Sequence, residues 1–293
     1  MNANLTDRYA VIGNPVVHSQ SPFIHAEFAR QTHQAIQYER VLSPVDGFAA
    51  TLRDWAASGA HGCNVTVPFK SQVPPLAAFQ SPRVRLAQAA NTLRFDAQGW
   101  QAENTDGLGL VADIQVHAGL RLKGCTVLLV GAGGAAAGVL GPLLAAQPAR
   151  VVVVNRTAHK ATRLAAAHAQ WAHGHGSLVV AGALHEAAAL CGSGCQVLVN
   201  GSSSSLAGDG SPVDEGILRQ GGLAVDMMYG TAAQPFMRWA RAQGAQARDG
   251  LGMLVEQAAE AFEFWRGVRP HTPPVLATLR ARVDCAETAL GAR

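Results

Sequence analysis

The residues whose types and spacing point most directly to chemistry form a glycine turn, Gly131-Ala132-Gly133-Gly134. The apolar run Thr126-Val127-Leu128-Leu129-Val130 leads straight into it, and Ala135-Ala136 begins a helix of small residues reaching about Ala146. Strand, glycine turn and helix in that order make a dinucleotide-binding arrangement. Gly131 permits the sharp turn out of the strand, and Gly133 lets the backbone approach a pyrophosphate. Ala136, in the last small position, lets the helix pack closely on the sheet. The helix N-terminus then presents free N–H groups and the positive end of its dipole to the phosphates.

The following strand selects the cofactor. It is β-branched over 151–154 and ends in Asn155-Arg156-Thr157, with Lys160 three residues on. An NAD-binding unit usually ends this strand with Asp or Glu, which hydrogen-bonds the ribose 2′-OH. A guanidinium stands here instead, and its planar fork suits a phosphate. The expected guest is therefore NADP, held through its 2′-phosphate.

Other polar residues sit at strand and helix ends. Ser19 and Ser21 lie just before or at a helix start, where hydroxyls and backbone N–H groups suit a carboxylate. Plain capping explains Ser21 but not Ser19. Lys70 follows a strand and Pro68-Phe69, and on chemistry alone it reads more readily as a surface lysine than as a catalytic one. Asn104-Thr105-Asp106-Gly107 could equally be a helix cap.

The elements that must position these groups follow from pattern. At 293 residues, 48% of them hydrophobic, the chain has apolar material for more than one core. Strands are expected over 9–13, 38–42, 64–67 and 91–95, with Pro68 ending the third because proline cannot donate to the ladder. Further strands are expected over 126–130, 151–154, 197–200 and 223–226. Helices are expected from Ser21, with Ser21 as cap and Pro22 at the first helical position, over 48–57, and from Thr105 to about Ala118. From Gly252 onward Leu254, Val255, Ala258, Phe262 and Trp265 recur at helical spacing. Alternation of strand and helix throughout predicts an α/β fold with parallel sheets.

Composition excludes several classes. A formal charge of +3, with Lys and Arg scattered, gives no basic face for nucleic acid. No run approaches the roughly 18 apolar residues of a membrane span. The first eight residues show no basic-then-apolar leader, so the cytoplasm is expected. Cys191 and Cys195 are four apart with no second pair nearby, and His173-Gly174-His175-Gly176 reads as a flexible loop, so no metal is expected. A monomer and a homodimer are both compatible with the pattern.

Taken together, the pieces resemble the shikimate dehydrogenase family in order and spacing. They are Asn14-Pro15 with His18-Ser19-Gln20-Ser21-Pro22, Asn64-Val65-Thr66-Val67-Pro68-Phe69-Lys70, Asn91-Thr92, Asn104-Thr105-Asp106-Gly107, Gly131 to Ala135, Asn155-Arg156-Thr157, Asp226-Met227-Met228-Tyr229, and Asp249-Gly250-Leu251-Gly252-Met253-Leu254 ending near Gln257. The resemblance spans essentially the whole chain. It implies reduction of 3-dehydroshikimate by NADPH, with a quinate/shikimate dehydrogenase of broader use as the alternative. Lys70 and Asp106 would be the catalytic pair. Ser19 and Ser21 would hold the substrate carboxylate. Thr66, Asn91, Asp106 and Gln257 would bind its ring hydroxyls, with Tyr229 also in the pocket. Gly131, Ala132, Gly133, Gly134 and Ala135 would carry the pyrophosphate. Asn155, Arg156, Thr157 and Lys160 would take the 2′-phosphate, and Met227 and Gly250 would lie along the nicotinamide. The implied architecture is a substrate domain of residues 1–106 plus 249–293 and a Rossmann-type NADP domain of 107–248, with the active site in the cleft. Ala90, Gly201 and Lys160 depart from the family's usual residues without removing a proposed catalytic group.

Overall fold

A computed structural model describes residues 6–202, 204 and 211–291, with side chains to residue 285. The chain divides into two compact units, one of Met1–Gly109 with Val255–Leu279 and one of Leu110–Leu254 with Arg280–Arg293. In chain order the first stretch contains β1 (Asp7–Gly13), α1 (Ser21–Thr32), β2 (Ile36–Leu42), α2 (Phe48–Ala57), β3 (Gly62–Val65), β4 (Phe79–Gln80), α3 (Pro82–Ala87), β5 (Thr92–Asp96), β6 (Gly99–Glu103) and α4 (Asp106–Ala112). The second holds β7 (Thr126–Val130), α5 (Gly134–Ala145), β8 (Arg150–Asn155), α6 (Ala158–Gly174), β9 (Leu178–Ala183), α7 (Ala187–Cys191), β10 (Cys195–Asn200), β11 (Leu218–Asp226), α8 (Gln234–Ala242) and β12 (Gln246–Arg248). The chain continues through α9 (Leu251–Arg266) and α10 (Thr272–Gly291).

The first unit's sheet runs β2-β1-β3-β5-β6-β4. It is mixed: β1 pairs in parallel with β2 and β3, while β3–β5 and β5–β6 are antiparallel. A wholly parallel sheet was the expectation. The turn at residues 97–98 closes a hairpin, and a connection that short cannot cross over to a parallel strand. α1 buries Ser21, Ile24, His25, Phe28 and Ala29, a spacing that makes one helical face. Its cap is Gln20, not Ser21, which is already helical; Pro22 stands in the first turn. α9 buries Val255, Ala258, Phe262 and Trp265, the stripe read from the sequence, while Leu254 is only partly covered.

His25 is the unusual member of this core. Its ring is fully buried and stacks on Tyr38 with centroids 4.2 Å apart. Neither ring nitrogen has a hydrogen-bond partner of good geometry among the described residues. Burial pushes its pKa down to about 3, and the neighbouring Asn64 offsets only part of that. A histidine depressed in the folded state adds stability that is complete above the unfolded pKa and is lost as pH falls. From about 6.5 unfolded to about 3 folded, that loss reaches about 2 kcal/mol at pH 5. His25→Phe, which keeps the stack without a titrating nitrogen, is expected to flatten the fall in unfolding free energy between pH 6.5 and 4. An identical pH dependence in both proteins would refute the assignment.

The second unit's sheet is all parallel, in the order β12-β11-β10-β7-β8-β9. Numbered within the unit from the other edge, this is 3-2-1-4-5-6, the dinucleotide-binding order. Its central strands are buried on both faces, with Val127, Leu128, Leu129, Val151, Val152 and Val153 fully enclosed. Arg280 of α10 donates through both terminal nitrogens to Asp249, at 2.6 Å each. Two segments differ from expectation. The helix from Thr105 is regular only to Ala112 and continues as a wider π turn over Asp113–His117. Asp113 is fully buried there, paired with Arg248, and Gly252 leaves it room, since a Cβ at 252 would fall 1.8 Å from its Oδ1. Of the His173–Gly176 tract, expected as a loop, His173 and Gly174 end α6 while His175 and Gly176 form the turn beyond it, with the His175 ring 4.4 Å from that of Trp171. Among the described residues no group of three His, Cys, Asp or Glu could hold a metal. No helix among them is long and apolar enough to cross a membrane.

Candidate active site

In the first unit, local structure drives Lys70 toward Asp106. Phe69 is fully buried, stacked on Phe48 at 4.6 Å, and anchors the turn that Lys70 begins. The carbonyl of Lys70 accepts from the N–H of Ala90 at 2.9 Å, tying this turn to the segment carrying Asn91. Asp106 is the first residue of α4, where a carboxylate suits the helix dipole. Lys70 Nζ and Asp106 Oδ2 are 2.6 Å apart, with side chains 17% and 5% exposed.

Asn91 organises the floor beside this pair. Its Nδ2 lies 2.9 Å from Asp106 Oδ1, 2.9 Å from Thr105 Oγ1 and 3.1 Å from Gln257 Oε1. Its Oδ1 accepts from the Thr105 N–H and from the Thr92 hydroxyl. Asp106 is therefore held on one oxygen by an amide and on the other by an ammonium, which fixes its rotamer and aims Lys70. Thr66 follows β3, its N–H donating to Ile12. A Cβ on Gly13 would lie 2.3 Å from Thr66 Cγ2, so glycine is needed there for Thr66 to fit. Ser19 Oγ donates to Ser21 Oγ at 3.2 Å and accepts from the Ser21 N–H. The first turn of α1 has no acidic residue, so its positive end is not neutralised locally.

Thus Lys70, Asn91, Asp106 and Gln257 share one hydrogen-bonded network, and Ser19 and Ser21 form a second local pair. Tyr229 belongs to the second unit, preceding a short helical turn at Gly230–Ala233. Sequence reasoning missed Asn64. Its Nδ2 donates to the Asn91 carbonyl and to Thr92, and its Oδ1 accepts from the Tyr38 hydroxyl at 2.7 Å. The available signal was an amide side chain inside a strand that is buried at every position.

In the second unit the glycine turn follows β7 as expected. Gly131 has φ +112°, and a Cβ there would stand 2.8 Å from the Gly201 carbonyl oxygen, so no other residue fits comfortably. Gly133 caps α5, and Ala136 is fully buried against the sheet. Gly133 and Gly134 are exposed, with open space where their Cβ atoms would be. Ala132 and Ala135 are partly covered, and α5 has no acid in its first turn. These features fit a pyrophosphate set against free backbone amides.

The flanking strands end around the same point. β8 ends at Asn155, whose Nδ2 donates to the Thr157 carbonyl. Thr157 precedes α6, and Arg156 and Lys160 are exposed with no ion pair among the described residues. Gly201 follows β10; a Cβ there would crowd Met227 Sδ at 3.0 Å, a physical reason for glycine at this position. Gly250 packs on Met227 so closely that a Cβ would fall 2.4 Å from its carbonyl oxygen. Gly131, Gly201, Met227 and Gly250 therefore cluster at the carboxyl ends of adjacent strands, where open α/β sheets bind their ligands.

Three family models match the chain. They describe a shikimate dehydrogenase substrate binding domain over residues 11–93, a shikimate / quinate 5-dehydrogenase over 112–180, and a shikimate 5'-dehydrogenase C-terminal domain over 250–280. A shikimate dehydrogenase (NADP(+)) of Methylibium petroleiphilum is 59% identical over 293 residues, covering 98% of each chain. That of Acidovorax ebreus is 56% identical over 277 residues, covering 94% of this chain and 97% of its own. Among solved structures, an Ael1 enzyme from Pseudomonas putida is similar with a TM-score of 0.83 and 42% identity, covering 93% of this chain and 98% of its own. Shikimate 5-dehydrogenase from Thermus thermophilus, in complex with NADP(H) and shikimate, gives 0.79 and 29%, covering 94% and 99%.

Proposed function

The chain belongs to the shikimate dehydrogenase family, and on that premise we propose that it catalyses the reversible, NADP-dependent reduction of 3-dehydroshikimate to shikimate, with Lys70 and Asp106 as its catalytic pair. The supporting observation is the buried contact of 2.6 Å between Lys70 Nζ and Asp106 Oδ2, set among Asn91 and Gln257.

When bound, NADPH supplies the hydride. The protein's own groups bind, orient and move a proton. Ser19 and Ser21 take the substrate carboxylate at the start of α1. Thr66, Asn91, Asp106 and Gln257, with Tyr229, take the ring hydroxyls. A free lysine carries its proton at neutral pH. Lys70 donates that proton to the carbonyl oxygen as negative charge grows there, and recovers it in the reverse direction. Asp106 orients the ammonium and accepts a hydrogen bond from the same substrate oxygen once it is a hydroxyl.

The residues that would hold the cofactor are Gly131 to Ala135 for the pyrophosphate, Asn155, Arg156, Thr157 and Lys160 for the 2′-phosphate, and Met227 and Gly250 for the nicotinamide end. On the same reading, residues 1–106 with 249–293 make up the substrate-binding, catalytic domain and 107–248 the NADP-binding domain, with Tyr229 and Gly250 each reaching the other domain's ligand. The enzyme would work in the cytoplasm, as a monomer or homodimer, on the route to chorismate and the aromatic amino acids.

The test is absorbance in the NADPH band with shikimate or quinate, each offered with NADP and with NAD. The expected result is that shikimate with NADP gives the highest rate of the four. No substrate-dependent rise in any combination would refute the reading, and a faster rate with quinate would reassign the substrate.

A further inference from the structure

We infer that Arg40 is a positioning and capture residue for the substrate carboxylate, acting through the backbone of Ser19. The inference deepens the proposed function and rests on it. Tyr38 and Arg40 are two residues apart in the extended strand β2, so their side chains leave the same face. Tyr38 on that face donates to Asn64 at 2.7 Å. Two residues on, the Arg40 guanidinium grips a single atom, the carbonyl oxygen of Ser19, through Nε at 3.0 Å and a terminal nitrogen at 2.5 Å. The contact joins residues 21 positions apart and holds the loop between β1 and α1.

Two consequences follow from this geometry. The first is positional. Ser19 Oγ is placed by its peptide, and the peptide is fixed on one side by its N–H donating to the Val16 carbonyl and on the other by the Arg40 fork. Without the fork, the Ser19 carbonyl loses its two donors and the hydroxyl pair of Ser19 and Ser21 loses its fixed register. The second is electrostatic. Arg40 makes no ion pair among the described residues; its neighbour Glu39, on the opposite face of the strand, is paired with Arg8. A full positive charge thus stands beside two hydroxyls and an un-neutralised helix N-terminus. Such a site attracts a carboxylate before any direct contact, and salt screens the attraction over a Debye length of about 10 Å at 0.1 M. Arg40 is exposed, so direct contact with the reacting atoms is not part of the inference.

The two effects separate by mutation. Arg40→Lys keeps the charge and loses the fork; Arg40→Gln loses the charge and keeps one possible donor; Arg40→Ala loses both. We expect Arg40→Ala to raise the KM for shikimate roughly fivefold, the scale of one partly exposed charge-assisted contact. We expect kcat and the KM for NADP to stay within about twofold of the parent, because neither group they report on is touched. The rise of the shikimate KM with ionic strength should be kept in Arg40→Lys and flattened in Arg40→Gln and Arg40→Ala. Thermal denaturation of each variant checks the fold. An active parent whose shikimate KM and salt dependence survive Arg40→Ala overturns the inference alone. A parallel loss of kcat, NADP affinity and melting temperature would also overturn it, by showing a general structural role. A parent inactive with shikimate would sink the proposed function and this inference with it.

Discussion

Lys70→Ala is expected to lower kcat for shikimate oxidation by roughly 10² to 10⁴, the range of a positioned proton donor or acceptor, while shikimate still binds. Nζ is held by Asp106 Oδ2 at 2.6 Å, and Asp106 cannot replace it as a donor while ionised. The hydroxyls and amides of Ser19, Ser21, Asn91 and Gln257, proposed above to bind the substrate, do not depend on Lys70 for their own contacts, except through Asp106. The effect should therefore fall on kcat and on kcat/KM alike, the mark of an interaction made in the transition state. Removing one partner of a buried pair has its own cost, because Asp106 is left with a poorly compensated charge. Asn91 Nδ2 still donates to its other oxygen, which limits that cost. Titration calorimetry with shikimate distinguishes the cases. Retained binding with collapsed turnover is the expected outcome, and turnover equal to the parent would remove Lys70 from the mechanism.

Why this pair is hard to read from sequence is a matter of distance along the chain. Asn91 meets Gln257 across 166 positions, and Lys70 meets Asp106 across 36. No local periodicity encodes such contacts; only the motif resemblance singles these residues out. The glycine turn is legible because its function is local: strand, turn and helix start are contiguous, and each glycine answers a demand made within a few residues or by the next strand. The β-branched run of β8 is legible for the same reason, being buried on both faces. The hairpin of β5 and β6 is only half legible, since Gly99–Glu103 carries Gly, Gln and Glu and lacks a β-branched signature. β12 is three residues long, and β9 is an edge strand whose only large residues are Leu178, Val179 and Val180 before Ala-Gly-Ala, so neither carries an alternating pattern. α6 escapes because its buried positions are Ala161, Ala165, His168 and Ala172, which make a faint apolar stripe. The break in α4 at Asp113 arises from a tertiary event, the pairing of a buried carboxylate with Arg248, that no helix propensity foretells.

Cofactor choice is the second large effect. Replacing Arg156 and Lys160 together by Ala is expected to raise the KM for NADPH by one to two orders of magnitude, about 1.4 to 2.8 kcal/mol, with the KM for NADH nearly unchanged. Arg156 stands immediately beyond β8, where a dinucleotide-binding unit reads the 2′ position of the adenosine ribose. Its guanidinium is exposed and has no carboxylate partner among the described residues, so its donors are available to a phosphate. Lys160 lies in the first turn of α6, close enough in sequence to share the same anion, and its N–H donates to the Thr157 carbonyl. Asn155 turns its amide onto the Thr157 carbonyl, which shapes the loop independently of either charge. The double variant should therefore lose charge without losing the loop. NADH has no 2′-phosphate, so it reports on everything the two dinucleotides share, including the glycine turn. If both cofactors weaken equally, the residues support the loop and do not read the phosphate. If only NADPH weakens, increasing salt should weaken the parent's NADPH binding more than the variant's, because the lost interaction is one between charges at the surface.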